Sequence, residues 1–121
     1  MSSSAVILFA HGARESEWAR PFEEVRNRVR SQGLRAELAF LEIMKPSLEE
    51  AARVLVAEGH TTVTVVPLFL AQGGHVKRDP PKKVAALARE HPGADFRVTP
   101  ALGDAPEIVA AISAWVGRAA R

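Results

Sequence analysis

Two histidines each stand just beyond an apolar run, and a glutamate closes a third. His11 follows AVILFA (5–10), His75 follows VTVVPLFLA (63–71) across Gly73-Gly74, and Glu42 ends RAELAFLE (35–42). Two imidazoles and a carboxylate form a donor set that suits a borderline divalent ion such as Fe, Co, Ni or Zn. Imidazole also titrates near neutral pH, so either histidine can accept a proton as well as hold an ion. Taken singly, each residue has a plain structural reading: His11 a hydrogen-bonded loop imidazole, His75 an ordinary loop residue, Glu42 a solvent-facing strand end. Their shared placement at strand carboxyl ends joins them, because open α/β sheets carry their ligand crevice there. The pattern predicts a metal-handling site.

Such a placement requires parallel strands separated by helices, and the rest of the chain supplies them. Trp18, Phe22, Val25 and Val29 mark one helical face over about 16–32, with Pro21 near its start and Gly33 as its stop. Ser47 and Glu50 have capping-box spacing ahead of Ala51, Ala52, Leu55 and Val56, and Gly59 closes that helix. Asp79-Pro80 predicts the start of a third helix that buries Val84, Leu87 and Ala88. A fourth strand at about 95–99 follows His91-Pro92-Gly93. Asp104 then caps a last helix bearing Ile108, Ile112, Trp115 and Val116. Alternating strands and helices imply an α/β fold: a doubly wound, mainly parallel four-stranded sheet with helices on both faces. A small sheet of this kind leaves faces to cover, and a homo-oligomer, most simply a two-fold dimer, does so economically.

Composition narrows the chemistry further. The 121 residues with 47% hydrophobic content suit one domain over 1–121, with 1–4 as a disordered tail. Cysteine is absent, which removes disulfides, thiolate metal sites and cysteine nucleophiles. A net charge of +2 argues against nucleic acid as a partner, although Lys77, Arg78, Lys82 and Lys83 cluster near His75 and suit an anionic small molecule. No run has the length of a membrane span, and MSSS lacks the basic region of a signal peptide, so the expected setting is the cytoplasm. A histidine phosphatase carries Arg where Ala10 stands, and a facial-triad oxygenase carries a carboxylate where Ala13 stands. Nucleotide-binding glycine motifs and a nucleophile elbow are missing. His60 and His91, at helix–strand turns away from the crevice, read as structural, and Trp18 and Trp115 as core or interface.

The strings ILFAHGARE, FLEIMKPSLEEA, VTVVPLFLAQGGHVKRDPP and HPGADFRVTPALGDAP together resemble the small class II tetrapyrrole chelatases, the CbiX-like sirohydrochlorin chelatases, in their short single-domain form. The resemblance implies a chelatase-like (flavodoxin-like) fold and an enzyme that inserts Co²⁺, Fe²⁺ or Ni²⁺ into a sirohydrochlorin-type tetrapyrrole, for cobalamin or sirohaem. It implies a homodimer without a tightly bound cofactor, the divalent metal being a substrate. By the same resemblance His11 and His75 hold the metal and act in catalysis, with His11 the favoured proton acceptor, and Glu42 assists metal binding. Leu70, Ala71, Gln72, Gly73 and Gly74 line the tetrapyrrole pocket, and Lys45 borders it. Two positions depart from the family pattern: Ala13 replaces a usual serine, and Lys45 a frequently acidic residue. A non-catalytic metal or tetrapyrrole carrier would use the same histidines.

Overall fold

The apolar run at the start of the chain forms β1 (Ser4–Ala10), which lies inside the sheet between β2 (Arg35–Phe40) and β3 (Thr62–Pro67). The fourth strand, β4 (Asp95–Val98), is outermost beside β3. All pairings are parallel, with Leu8 opposite Leu38 on one side and Val66 on the other. The computed structural model describes residues 4–71 and 73–121, the side chains of 74–77 excepted. The expectations for residues 1–3, for Gln72, and for the side chains of His75 and Lys77 lie outside the described residues.

Alternation along β1 sends Ala5, Ile7 and Phe9 to one face and Leu8 and Ala10 to the other. Both sets are buried, as an internal parallel strand requires. The first face is covered by α2 (Leu48–Ala57) and α3 (Gly74–Glu90) through Leu48, Ala51, Ala52, Leu55, Val84 and Leu87. The second carries α1 (Arg20–Arg30) and the 3-10 turn Ser16–Ala19 before it, with Trp18, Ala19 and Phe22 against Leu38 and Phe40. The chain steps from β1 to β2 past one face, then from β2 to β3 and β4 past the other. The sheet is therefore doubly wound, as expected, and its direction reverses between β1 and β3.

Several boundaries depart from the sequence expectation. Ser4 pairs with Thr62 in the sheet and does not belong to a tail. β3 stops at Pro67, because proline cannot donate to the ladder, and residues 68–71 leave the sheet. On α1, Val25 is exposed while Trp18, Phe22 and Val29 are half-buried; the 3-10 turn ahead of Arg20 rotates the register of the face. The third helix does not begin at Asp79. It starts at Gly74, capped by Gly73 without a side-chain bond, and contains Pro80 and Pro81. Full burial of Pro80 outweighs the cost of its missing N–H. Asp104 lies in a 3-10 turn (Leu102–Asp104); the N-cap of α4 (Pro106–Ala119) is Ala105, and Pro106 starts the helix.

The predicted capping box is present. Ser47 N–H donates to Glu50 Oε1 at 2.9 Å and Glu50 N–H donates to Ser47 Oγ at 3.1 Å. Hydrogen bonding from Ser47, its backbone N–H foremost, holds the Glu50 carboxyl below its ordinary pKa. A lowered carboxylate pKa stabilises the fold above the ordinary range, and that contribution is lost as pH falls through the lowered value. Ser47→Ala should cost about 1 kcal/mol at neutral pH. Because the variant keeps the Ser47 backbone N–H that is foremost in lowering the Glu50 pKa, urea unfolding should show most of the acid-side loss of stability in both proteins.

At the amino end of the sheet, the Arg35 guanidinium grips Glu58 at 2.9 and 3.0 Å and reaches Glu37 Oε1 at 2.6 Å. His60 joins the same group through Glu58, at 3.3 Å. His91 caps the end of α3 and packs on Phe96, ring centroids 5.9 Å apart. Neither histidine approaches the carboxyl ends of the strands.

Candidate functional site

The reversal between β1 and β3 opens the crevice where β1 delivers His11. The ends of β1, β2 and β3 stay laced together beyond their last paired residues. Leu41 N–H donates to Ala10 O at 2.8 Å, Glu42 N–H to His11 O at 3.0 Å, and Leu68 N–H to Phe9 O at 2.7 Å. His11 and Glu42 therefore sit on adjacent, hydrogen-bonded chain segments, as their runs predicted. Gly12 makes this possible: its φ is +100°, and a Cβ there would run into the carbonyl oxygen of Glu42.

The His11 ring is half-buried and rests on Phe69, with centroids 4.4 Å apart and planes inclined by 44°. Phe69 in turn packs on Phe9 at 5.7 Å, so the imidazole is braced from the core. Among the described residues, neither the His11 ring nitrogens nor the Glu42 carboxylate make a hydrogen bond or ion pair. They are available to a ligand. Glu42 is exposed to solvent. Among the described residues no three histidine, aspartate or glutamate side chains come together as a metal cage. His75 lies in the first turn of α3, two residues past its Gly73 cap, not in the flexible loop that the sequence suggests.

The loop after β3 is seated by a contact with no evident sequence signal. Gly103 lies so close to Leu70 that a Cβ would strike the Leu70 carbonyl, and its N–H donates to Phe69 O at 3.3 Å. Leu70 itself is 61% exposed, and Ala71 and Gly73 are exposed beside it. Lys45 is exposed on the far side of Glu42, where it lines a cavity of about 190 Å³ with Met44, Phe40 and Arg26. A second cavity, about 240 Å³ between Pro67, Pro80 and Pro100, lies on the β4 side. His11 lines neither cavity.

The sequence profile of the CbiX family matches residues 5–119. The chain belongs to the CbiX family. A CbiX protein from Marinobacter aquaeolei VT8 superposes with a TM-score of 0.83 at 32% identity, over 95% of both chains. SirB from Bacillus subtilis, solved with Fe³⁺, gives a TM-score of 0.76 at 25% identity over 93% of this chain and 45% of that one. Among curated relatives, the sirohydrochlorin cobaltochelatase of Sulfurisphaera tokodaii is 36% identical over 110 residues, 86% of this chain and 92% of that protein. That of Methanopyrus kandleri matches over 56% of its own length. These matches agree with the four-stranded parallel sheet described above, and with the CbiX-like resemblance of the motifs.

Proposed function

We propose that this CbiX-family chain is a sirohydrochlorin chelatase that inserts a divalent metal, Co²⁺, Fe²⁺ or Ni²⁺, into the macrocycle. The observation that carries this reading is the braced His11 imidazole, free of internal hydrogen bonds among the described residues, at the switch point of a chain 36% identical to a cobaltochelatase. Insertion replaces two pyrrole N–H protons by one divalent ion. The imidazole at the crevice accepts a pyrrole proton, and with the Glu42 carboxylate it holds the ion on the way in. His75 shares these tasks from the start of α3. The residues of the Leu70–Gly74 loop and Lys45 contact the macrocycle, Lys45 and Arg14 through its carboxylates. A loose set of nitrogen and oxygen donors suits an ion that must be released, unlike a closed structural site.

The test is purified protein mixed with sirohydrochlorin and each metal at matched free-ion concentration, followed by absorbance. Acceleration over the uncatalysed rate supports the reading, and the metal with the highest kcat/KM identifies the preferred substrate. Stoichiometric binding without acceleration would instead make the protein a carrier.

We also propose that the working form is a homodimer joined through α4. This helix buries no residue, and Val109, Ile112, Trp115 and Val116 are 47%, 40%, 63% and 51% exposed. Trp115 is therefore not core, and contiguous apolar surface of this kind marks an interface. A second copy is the natural cover, because the match to SirB leaves about half of that longer chain unaccounted for. Trp115→Glu should shift the mass in light scattering from twice 13.1 kDa to 13.1 kDa. A wild type that is already monomeric at micromolar concentration overturns the dimer.

A further inference from the structure

Among the described residues, Ile43 is the non-glycine residue at positive φ. Its φ is +70°, and Met44 N–H donates across it to Glu42 O at 2.7 Å, closing a three-residue γ-turn. Turns of this hand are rare and strained, and a β-branched residue at positive φ is a genuine outlier. Glycine would make the same turn freely. Packing within the chain does not account for the isoleucine either, since its side chain is 63% exposed. Strain that folding does not explain is the kind that persists at ligand sites.

The position of Ile43 shows what could cover it. It follows β2, and the similarly exposed Leu70 follows β3; β1, with His11 at its end, runs between those strands. Two exposed aliphatic residues thus follow the strands on either side of β1, whose paired ends lie about 10 Å apart at two strand spacings. A flat, weakly polar ring face with charged groups at its rim matches this arrangement. The aliphatic groups meet the face, and Lys45, two residues beyond Ile43, meets a rim carboxylate.

We propose that Ile43 is a positioning residue for the macrocycle, an apolar seat opposite Leu70 that sets how the ring lies over His11. The proposal rests on the chelatase reading above. Covering the side chain on binding returns the cost of holding it out, so its contribution falls on substrate affinity and not on the chemical step.

Two variants separate the turn from the side chain. Ile43→Gly removes both the strain and the apolar seat; Ile43→Ala keeps most of the strain and removes the seat. With Co²⁺ saturating, both should raise the KM for sirohydrochlorin about tenfold, with kcat held within about threefold. Ile43→Gly should at the same time raise the Tm by a few degrees, and Ile43→Ala should not. Unchanged KM in both variants of a protein whose wild type turns over removes the role of Ile43 and leaves the chelatase reading standing. A lower Tm for Ile43→Gly also overturns it, because the isoleucine would then serve folding. A wild type without insertion activity removes the chelatase reading itself, and Ile43 falls with it.

Discussion

Replacing His11 by alanine should reduce Co²⁺ insertion into sirohydrochlorin by about 10²-fold or more, the usual scale for losing a positioned proton acceptor. The fold should survive the change. The His11 contribution to structure is carried mostly by its backbone, whose carbonyl accepts from Glu42 N–H at 3.0 Å and keeps that bond in the variant. What disappears is the ring contact with Phe69 at 4.4 Å, worth about 1 kcal/mol. A small fall in Tm with near-complete loss of rate is the expected combination, read by thermal unfolding and by the absorbance assay. The size of the rate loss follows from the loss of the one described imidazole at the strand ends. Among the described residues no three histidine, aspartate or glutamate side chains come together as a cluster, so no second described imidazole backs up His11 within such a set. Retention of more than a tenth of the wild-type rate would move the proton acceptor elsewhere, with His75 the first alternative.

The course of the chain shows why His11 and Glu42 were readable and their surroundings were not. Apolar runs ending in His11 and Glu42 specify strands, and parallel pairing of neighbouring strands brings their ends together without further information. The Ser47–Glu50 box is equally local, both partners lying within one turn. The helix signals that failed were also local, and tertiary burial overrode them. Asp79-Pro80 has the pattern of a start, yet Pro80 is fully buried and the helix runs through it. Trp115, read as core or interface, is 63% exposed on α4, which excludes the core. The brace of Phe69 on His11 and the seating of Gly103 on Leu70 are contacts between distant segments, invisible to periodicity. The γ-turn at Ile43 runs against residue preference altogether, so no sequence rule would place it.

Gly12→Ala should be the most disruptive small change in the crevice, although it adds one methyl group and touches no ligand side chain. Two costs combine at this position. A non-glycine residue at φ +100° is strained, by about 1–2 kcal/mol. The added Cβ also meets the Glu42 carbonyl oxygen, a backbone group held on one side by Met44 N–H at 2.7 Å, so the neighbour cannot swing away as a flexible side chain would. Overpacking of this kind adds roughly 1–3 kcal/mol. The β1 and β2 ends must part to relieve it, which separates His11 from Glu42 and should lower insertion activity together with stability. Gly33 and Gly59 provide the control, with φ of +89° and +96° and nothing within 4 Å of a built Cβ. Alanine there meets the conformational cost alone, and both sites lie at helix ends away from the crevice. Gly33→Ala and Gly59→Ala should therefore lose about 1 kcal/mol each in urea unfolding and keep wild-type kcat. If Gly12→Ala loses no more than these two and inserts metal at the wild-type rate, the close approach of the two strand ends is not what holds the site together.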